Sequence, residues 1–404
     1  MRGEDTGVYV HIPFCTGVCS YCHYARVSDM PHMVGDYLNA LKEELRLHEH
    51  YGGKIRADSL YLGGGTPTYL NGKKLFDLID CIQGKVEAED DIEVTVEASP
   101  ETLSKEKLDV LKKAGVNRLS IGVQAFDDHL LLNVCRRRHN KNMAVKAVQQ
   151  AKNSDFDNGV NIDLIYGLPD QTLEVWSHTL DTVEEISPEF VTTYHLRIKK
   201  GTRLSATPRH RFPSEHDTWL MYVTAIERLT DNGCIQIAPN QFAKKGFCFR
   251  HQEHKWRNKE LLGVGVSAYG YVNNTVYHNV RSLQDYGDTV HKGHLPVHIG
   301  KRLSEREQMT RAMIFGLKLS GVNRPDGGLE KHAFRKDYGM RVEDVFRETL
   351  KKLRELGLVR IGRRFVQLTY KGILFSDEVC REFYSREEKE YLKKIGHTYG
   401  RGVF

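Results

Sequence analysis

The sequence predicts an α/β fold: a partial barrel of six β/α units, followed by a smaller, mostly helical domain. Three observations carry this expectation. Short β-branched runs alternate with helix-patterned stretches six times between residue 8 and about residue 235. Each run is apolar enough to be buried on both faces, as parallel strands covered by helices must be. After Gly233 the alternation stops, and helical periodicity returns only near Ser304.

The units follow in order. VYVHI (Val8–Ile12) reads as the first strand, with a helix over DYLNALKEELRLHEH. SLYLGG (Ser59–Gly64) precedes the helix KKLFDLIDCIQGK, and DIEVTVEA (Asp91–Ala98) precedes SKEKLDVLKKAG. NRLSIGVQ (Asn117–Gln124) is followed by KNMAVKAVQQAKN, and GVNIDLIYGLP (Gly159–Pro169) by LEVWSHTLDTVEEI. FVTTYHL (Phe190–Leu196) leads into SEHDTWLMYVTAIERLTDNG. Six such units favour a curled sheet, whose chemistry belongs at the C-terminal ends of the strands.

Residues 1–235 are therefore expected to form the barrel, and 236–300 an extension covering the substrate. Residues 301–404 read as a winged-helix-like domain: SEREQMTRAMIFGLKLSG, VEDVFRETLKKLRELGLV, a short strand pair around RFVQLTYKG, and a last helix. No concentrated basic face stands out in it, so packing against the barrel is expected rather than nucleic-acid binding. A net charge of +6, from 59 Lys and Arg against 53 Asp and Glu, is too mild to argue for nucleic acid. The basic runs CRRRH (Cys135–His139) and RIKKGTRLSATPRHRF (Arg197–Phe212) read as solvated faces, the second with an alternative role towards an anionic substrate. No apolar run is long enough to span a bilayer and no signal peptide opens the chain, so a cytoplasmic protein is expected.

In that compartment thiols stay reduced. Five of the eight cysteines are scattered (Cys81, Cys135, Cys234, Cys248 and Cys380) and read as small buried hydrophobes. The other three, Cys15, Cys19 and Cys22, share one loop, HIPFCTGVCSYCHY, directly after the first strand. A disulfide would strand one of them. Structural zinc wants four ligands, which His11 or His23 would complete. A 4Fe–4S cube held by three thiolates would leave one iron open to another ligand.

The other strand ends carry polar groups too. The second ends in Gly63, Gly64, Gly65, Thr66 and Pro67, where successive glycines permit close backbone approach. The third ends at Glu97 and the fourth at Gln124, with Arg136 shortly after; the fifth carries Asp163. Facing one mouth, they form a polar ring suited to a nucleoside and an amino-acid moiety.

CTGVCSYC, with Tyr24 following His23, resembles the cluster loop of radical S-adenosylmethionine (SAM) enzymes. YVHIPFC, GGGTPTYL, EASPETL, RLSIGVQAFDD and DLIYGLPDQT narrow the likeness to the oxygen-independent coproporphyrinogen III oxidase family over nearly the whole chain. The resemblance implies a 4Fe–4S cluster on the three thiolates, whose fourth iron is chelated by SAM and whose electron cleaves it. A low-potential donor such as flavodoxin or ferredoxin and a small-molecule or peptide substrate are implied with it. Tyr9, Tyr21, Gly64, Gly65, Thr66 and Glu97 match SAM-contacting positions of the family. Gln124, Arg136 and Asp163, and more loosely Tyr269, match contacts to a second SAM.

Departures from the family's patterns shape the functional expectation. The oxidase has a fourth cysteine where this chain has Tyr24, and a longer segment before its first strand. The haem-chaperone branch has H-N-x-x-Y-W where this chain has HQEHKW, His251–Trp256, keeping the first His and the Trp. His251 and His254 remain candidate haem ligands there. The expected function is reductive SAM cleavage with methyl or methylene transfer from a second SAM, with haem binding and coproporphyrinogen decarboxylation as alternatives. His23 and Tyr24 are the expected catalytic neighbours, together with the 197–212 run.

Overall fold

The computed structural model describes residues 6–394. β1 (Thr6–Ile12), β2 (Ile55–Gly64), β3 (Val86–Ala98), β4 (Arg118–Gln124), β5 (Val160–Tyr166) and β6 (Phe190–His195) lie side by side in chain order, all parallel. Between and after them run α1 (Val34–Gly52), α2 (Gly72–Gln83), α3 (Lys105–Lys113), α4 (Lys141–Asn153), α5 (Leu173–Ile186) and α6 (Glu215–Asp231). The starts of α2 to α6 are set by side-chain caps on Asn71, Ser104, Asn140, Thr172 and Ser214, each accepting a backbone N–H from the first turn. The expected six units are all present. β3 starts five residues before the expected Asp91, because Val86–Ala88 already pair with Ile55–Ala57.

The sheet is curled. Phe249 sits 6.1 Å from the Tyr61 ring on β2 and 6.4 Å from Phe190 on β6. In a flat sheet those strands, four spacings apart, would be separated by about 19 Å.

Segment 236–300 adds strands to both edges. β7 (Cys234–Ala238) and β8 (Gln241–Lys244) form a hairpin, and β8 pairs antiparallel with β6. β9 (Leu261–Val264) returns to run parallel to β1 on its other side. β10 (Tyr269–Val272), β11 (Thr275–Asn279) and β12 (Val297–Arg302) continue outward, each antiparallel to its predecessor. The β10–β11 turn is made by Asn273 and Asn274 at φ 49° and 59°, as a two-residue hairpin of this hand requires. Between β8 and β9, α7 (Arg250–Trp256) closes the barrel floor: the Arg250 and His251 amides donate to buried Glu93 at 2.7 and 3.3 Å.

α8 (Leu283–His291) packs on α1 through the Tyr37 and Tyr286 rings, 5.4 Å apart. α9 (Glu305–Leu317) is buried continuously from Met309 and begins at a capping box of Ser304 and Glu307. It leads to a three-stranded sheet, β13 (Leu329–Glu330), β14 (Val359–Ile361) and β15 (Phe365–Leu368), in the order β13-β15-β14. Around it lie α10 (Lys331–Tyr338), α11 (Val342–Val345), α12 (Arg347–Glu355), α13 (Tyr370–Leu374), α14 (Ser376–Arg381) and α15 (Arg386–Lys394). This C-terminal domain meets the floor helix: Trp256 packs edge-on against Phe315, and Arg324 pairs with Glu253. Among the described residues no helix is long and apolar enough to cross a membrane.

Candidate active site

A cavity of about 1700 Å³ runs from the cysteine loop down into the barrel, and the three cysteines, His23, Tyr24 and the ten residues expected to contact SAM all line it. Their convergence follows from the topology, since parallel strands deliver every C-terminal end to the same mouth.

The cysteine loop is held from two sides. Gly65 and Thr66 donate backbone N–H groups to the Ile12 and Phe14 carbonyls, both at 2.8 Å. This explains the glycines. A Cβ on Gly65 would lie 2.8–2.9 Å from backbone atoms of Ile12, Pro13 and Phe14, and one on Gly64 (φ 111°) would lie 2.5 Å from His11. The close approach anticipated towards a ligand is thus made to the chain's own loop. From the other side, Ser20 donates its amide to the Cys135 carbonyl at 3.0 Å and its hydroxyl to Val134.

Arg137, which the sequence reading passed over in favour of its neighbour, is the centre of this side. Its guanidinium donates to the Cys19 sulfur at 3.1 Å, Tyr21 Oη at 3.4 Å, the Gly122 carbonyl at 2.9 Å and Ser99 Oγ. Glu101 stands 3.9 Å away, hydrogen-bonded to Thr16 and His139 at 3.0 Å each. Although burial opposes it, His139 and Arg137 hold the Glu101 carboxyl well below its usual range. Arg136 is exposed on the rim with φ 55°. The reason lies just before: residues His129–Val134 form a π-helical turn, which shifts the phase in which the three arginines emerge.

The residues present fit a cluster with three protein ligands. Cys15, Cys19 and Cys22 share the mouth, Thr66 donates towards the Cys15 sulfur at 3.7 Å, and a guanidinium is at hand to offset negative charge. Cys135, behind the loop, is fully buried. Both His11 nitrogens are engaged, by Tyr9 Oη at 3.1 Å and the Ala25 carbonyl at 2.9 Å, and His23 is exposed and stacked on Tyr24. Among the described residues no three His, Cys, Asp or Glu side chains are already gathered as a metal site.

Deeper in, Tyr9 stacks on Tyr61 at 6.0 Å, and Tyr61 donates to Glu97 at 2.7 Å. Gly64 donates its amide to the same carboxylate at 2.9 Å. Burial pushes the Glu97 carboxyl up to about 7. Asp163, hydrogen-bonded by Asn161 at 3.0 Å and Ser120 at 3.3 Å, is pushed by burial to about 6. Gln124 takes φ 76° at the end of β4 and Tyr269 opens β10.

The two candidate haem histidines are buried rather than at the surface. His251 stacks on Tyr61 at 5.0 Å with its Nδ1 3.2 Å from Ser59, and burial lowers its imidazole to about 3. It lines the cavity. His254 does not: it is tied to Asp58 at 3.0 Å and accepts the Gly7 amide at 3.0 Å.

Comparison with known proteins agrees with this geometry. The radical SAM superfamily model matches residues 9–183, and that of the HemN C-terminal domain matches 303–375. The haem chaperone HemW of Bacillus subtilis is 33% identical over 379 residues, 93% of this chain and 98% of its own. The oxygen-independent coproporphyrinogen III oxidase of Salmonella typhimurium is 28% identical, over 93% of this chain and 84% of its own. The solved structure of coproporphyrinogen III oxidase HemN from Escherichia coli, a radical SAM enzyme, superposes with a TM-score of 0.81 at 27% identity, covering 94% of this chain and 90% of its own. Three thiols in a loop after the first strand, a glycine-lined second strand and a closing C-terminal domain therefore have one common explanation. The chain belongs to the radical SAM superfamily, in the branch that holds the haem chaperones and the oxygen-independent coproporphyrinogen III oxidases.

Proposed function

We propose that this chain is a haem-chaperone-type radical SAM protein whose cavity receives a tetrapyrrole. The observation that carries this reading is the rim. Tyr24, Tyr194, Trp219, Phe375 and Ile299 are each 40–55% exposed, and all five line the one cavity. Around them stand Arg136, Arg138, Arg197, Lys199, Arg209 and Arg281. Exposed apolar residues lining one cavity mark a binding surface. Interleaved with cations, they suit a flat apolar ligand carrying carboxylates. His251, on the floor, offers an imidazole already neutral at physiological pH, the form that binds iron.

Membership implies a 4Fe–4S cluster and SAM, which together supply an adenosyl radical. The chain's own residues do the rest. Cys15, Cys19 and Cys22 would hold the cluster, and Arg137, bound to the Cys19 sulfur, would fix the loop and offset its charge. Glu97 and Tyr9, both in contact with Tyr61, would bind SAM, and Gln124, Arg136, Asp163 and Tyr269, which line the same cavity, would meet a second ligand. His23 and Tyr24, stacked on each other and exposed, follow Cys22 directly and line the cavity, where they would neighbour a bound substrate.

Oxidative decarboxylation of coproporphyrinogen III is the second reading, favoured by the superposition on HemN and by the same rim. Methyl or methylene transfer, expected first from the sequence, has weaker support. The relatives named above that span most of the chain carry haem and coproporphyrinogen names. Titration of the apoprotein with haem, followed at the Soret band, is expected to show saturable binding that His251→Ala weakens. An unchanged spectrum in the wild type rejects haem binding, and carbon dioxide release from coproporphyrinogen III would select the second reading instead.

A further inference from the structure

Away from the cysteine loop, the cavity has a lobe between the barrel and the C-terminal domain. Its barrel wall is a stack of three rings: His195 on Tyr166 at 5.3 Å and 14°, and Tyr166 on Tyr222 at 5.9 Å and 5°. Beside it, three charged side chains from three separate segments meet. Asp377, on α14, accepts from Lys318 Nζ at 2.6 Å and is paired with Arg197, which follows β6. Lys318, just past α9, is only 6% exposed. All six residues line the cavity.

Lys318 is buried while the Arg197 and Asp377 side chains are 28% and 26% exposed, and an ion cluster that loses part of its Coulomb energy to desolvation is weak evidence of a purely structural tie between domains. This one adjoins a stacked aromatic wall and opens to the cavity. The Arg197 fork matches a carboxylate, and Lys318 adds a second cation on the same acceptor. We propose that Arg197 and Lys318 form the carboxylate-binding pair of a substrate subsite, that Asp377 occupies it in the resting protein, and that a ligand carboxylate displaces Asp377 while the ligand's ring plane lies against the His195–Tyr166–Tyr222 wall. This rests on the tetrapyrrole reading and specifies where one acidic side chain is recognised.

Exchange of one carboxylate for another leaves neither cation uncompensated, so the step avoids the penalty of an unpaired buried charge. Asp377 sits on a six-residue helix at the cavity edge, from which it would swing into solvent. Until then it is an internal competitor, always present at high effective concentration.

The competitor makes an unusual prediction: removing it should improve binding. The test uses coproporphyrin III, a flat tetracarboxylate, and its tetramethyl ester, with affinities read from quenching of tryptophan fluorescence in the full chain. Asp377→Asn is expected to bind the acid about tenfold more tightly than the wild type, and Lys318→Met about tenfold more weakly, as loss of one charged hydrogen bond implies. The ester is expected to bind the wild type and Asp377→Asn alike. A misfolded variant would not gain affinity, so the Asn substitution separates recognition from a structural tie. If the wild type binds the acid and both substitutions leave its affinity unchanged, or Asp377→Asn weakens it, the subsite is wrong while the tetrapyrrole reading stands. If the wild type binds neither probe, both fall.

Discussion

Arg137 Nη1 lies 3.1 Å from the sulfur of Cys19 and donates to it. One side chain thereby joins the turn after β4 to the cysteine loop after β1, across the mouth of the barrel. The same guanidinium reaches the Gly122 carbonyl, Ser99 and Tyr21, so its position is fixed before any cluster is bound.

Arg137→Met should therefore weaken retention of iron by about 10–100-fold, the usual effect of losing a group that orients a metal ligand. Iron and sulfide content after a timed chelator challenge checks this. Arg137→Lys, which keeps the charge but not the fork, should fall between the two.

Gly65→Ala tests the other side of the loop. The added methyl would meet three backbone atoms at 2.8–2.9 Å, none of which a rotamer change can move. The expected cost is about 1–3 kcal/mol in denaturant unfolding. Reconstitution should also yield less cluster per chain, because the Ile12–Phe14 segment that leads into Cys15 must shift. Unaltered stability would contradict the packing described.

Glu97 predicts a pH dependence. Its carboxyl is pushed up by burial to about 7, so between roughly pH 4.3 and 7 the folded chain binds more protons at this site than the unfolded chain does. Ionised Glu97 therefore costs stability, and the cost grows as pH rises through that window. Asp163, raised to about 6, acts in the same direction. Tyr61 and Gly64 donate to different oxygens of Glu97, so in Glu97→Gln the NH2 group that replaces one of them faces a donor and that hydrogen bond is lost. The melting temperature of the variant relative to wild type should climb between pH 5.5 and pH 8. A difference that stays flat or declines over that range would refute the assignment.

Much of this was legible in the sequence, for identifiable reasons. Strands such as RLSIGVQ at β4 are buried along nearly their whole length, so their composition alone marks them as interior strands. Glu97 stood out because a carboxylate in such a run needs partners, and the structure supplies Tyr61 and Gly64. What was hidden depended on distance along the chain. Nothing local says that Leu261–Val264 returns to pair with β1, about 250 residues earlier. The floor position of His251 follows from that return and from the amides that α7 gives to Glu93, neither of which has a periodic signal. Arg137 was missed because CRRRH read as a solvated face and the resemblance pointed to Arg136, while the π-helical turn before it, which carries no sequence signal, sets which arginine turns inward. Its charge and its place in CRRRH were visible; its direction was not.

The domain contacts carry a further consequence. Trp256 on the floor helix packs against Phe315 of α9, and Glu253 pairs with Arg324. Arg324 is only 8% exposed and also donates to the Ile237 carbonyl. Arg324→Ala should destabilise the chain by about 1–3 kcal/mol through the hydrogen bonds it removes, since Glu253 stays partly exposed and keeps Arg257 as a partner. Haem titration of that variant should show weaker binding, because His251 sits two residues from Glu253.

A cluster bound by three thiolates, with one iron left for SAM, is the centre of the proposed chemistry. Electron paramagnetic resonance of the anaerobically reconstituted, reduced protein, recorded before and after adding SAM, measures this directly. The predicted result is a reduced-cluster signal whose g values or line shape change on addition, and its absence in Cys15→Ala, Cys19→Ala and Cys22→Ala. A signal indifferent to SAM, or a cluster that survives the loss of any one of these cysteines unaltered, would contradict it.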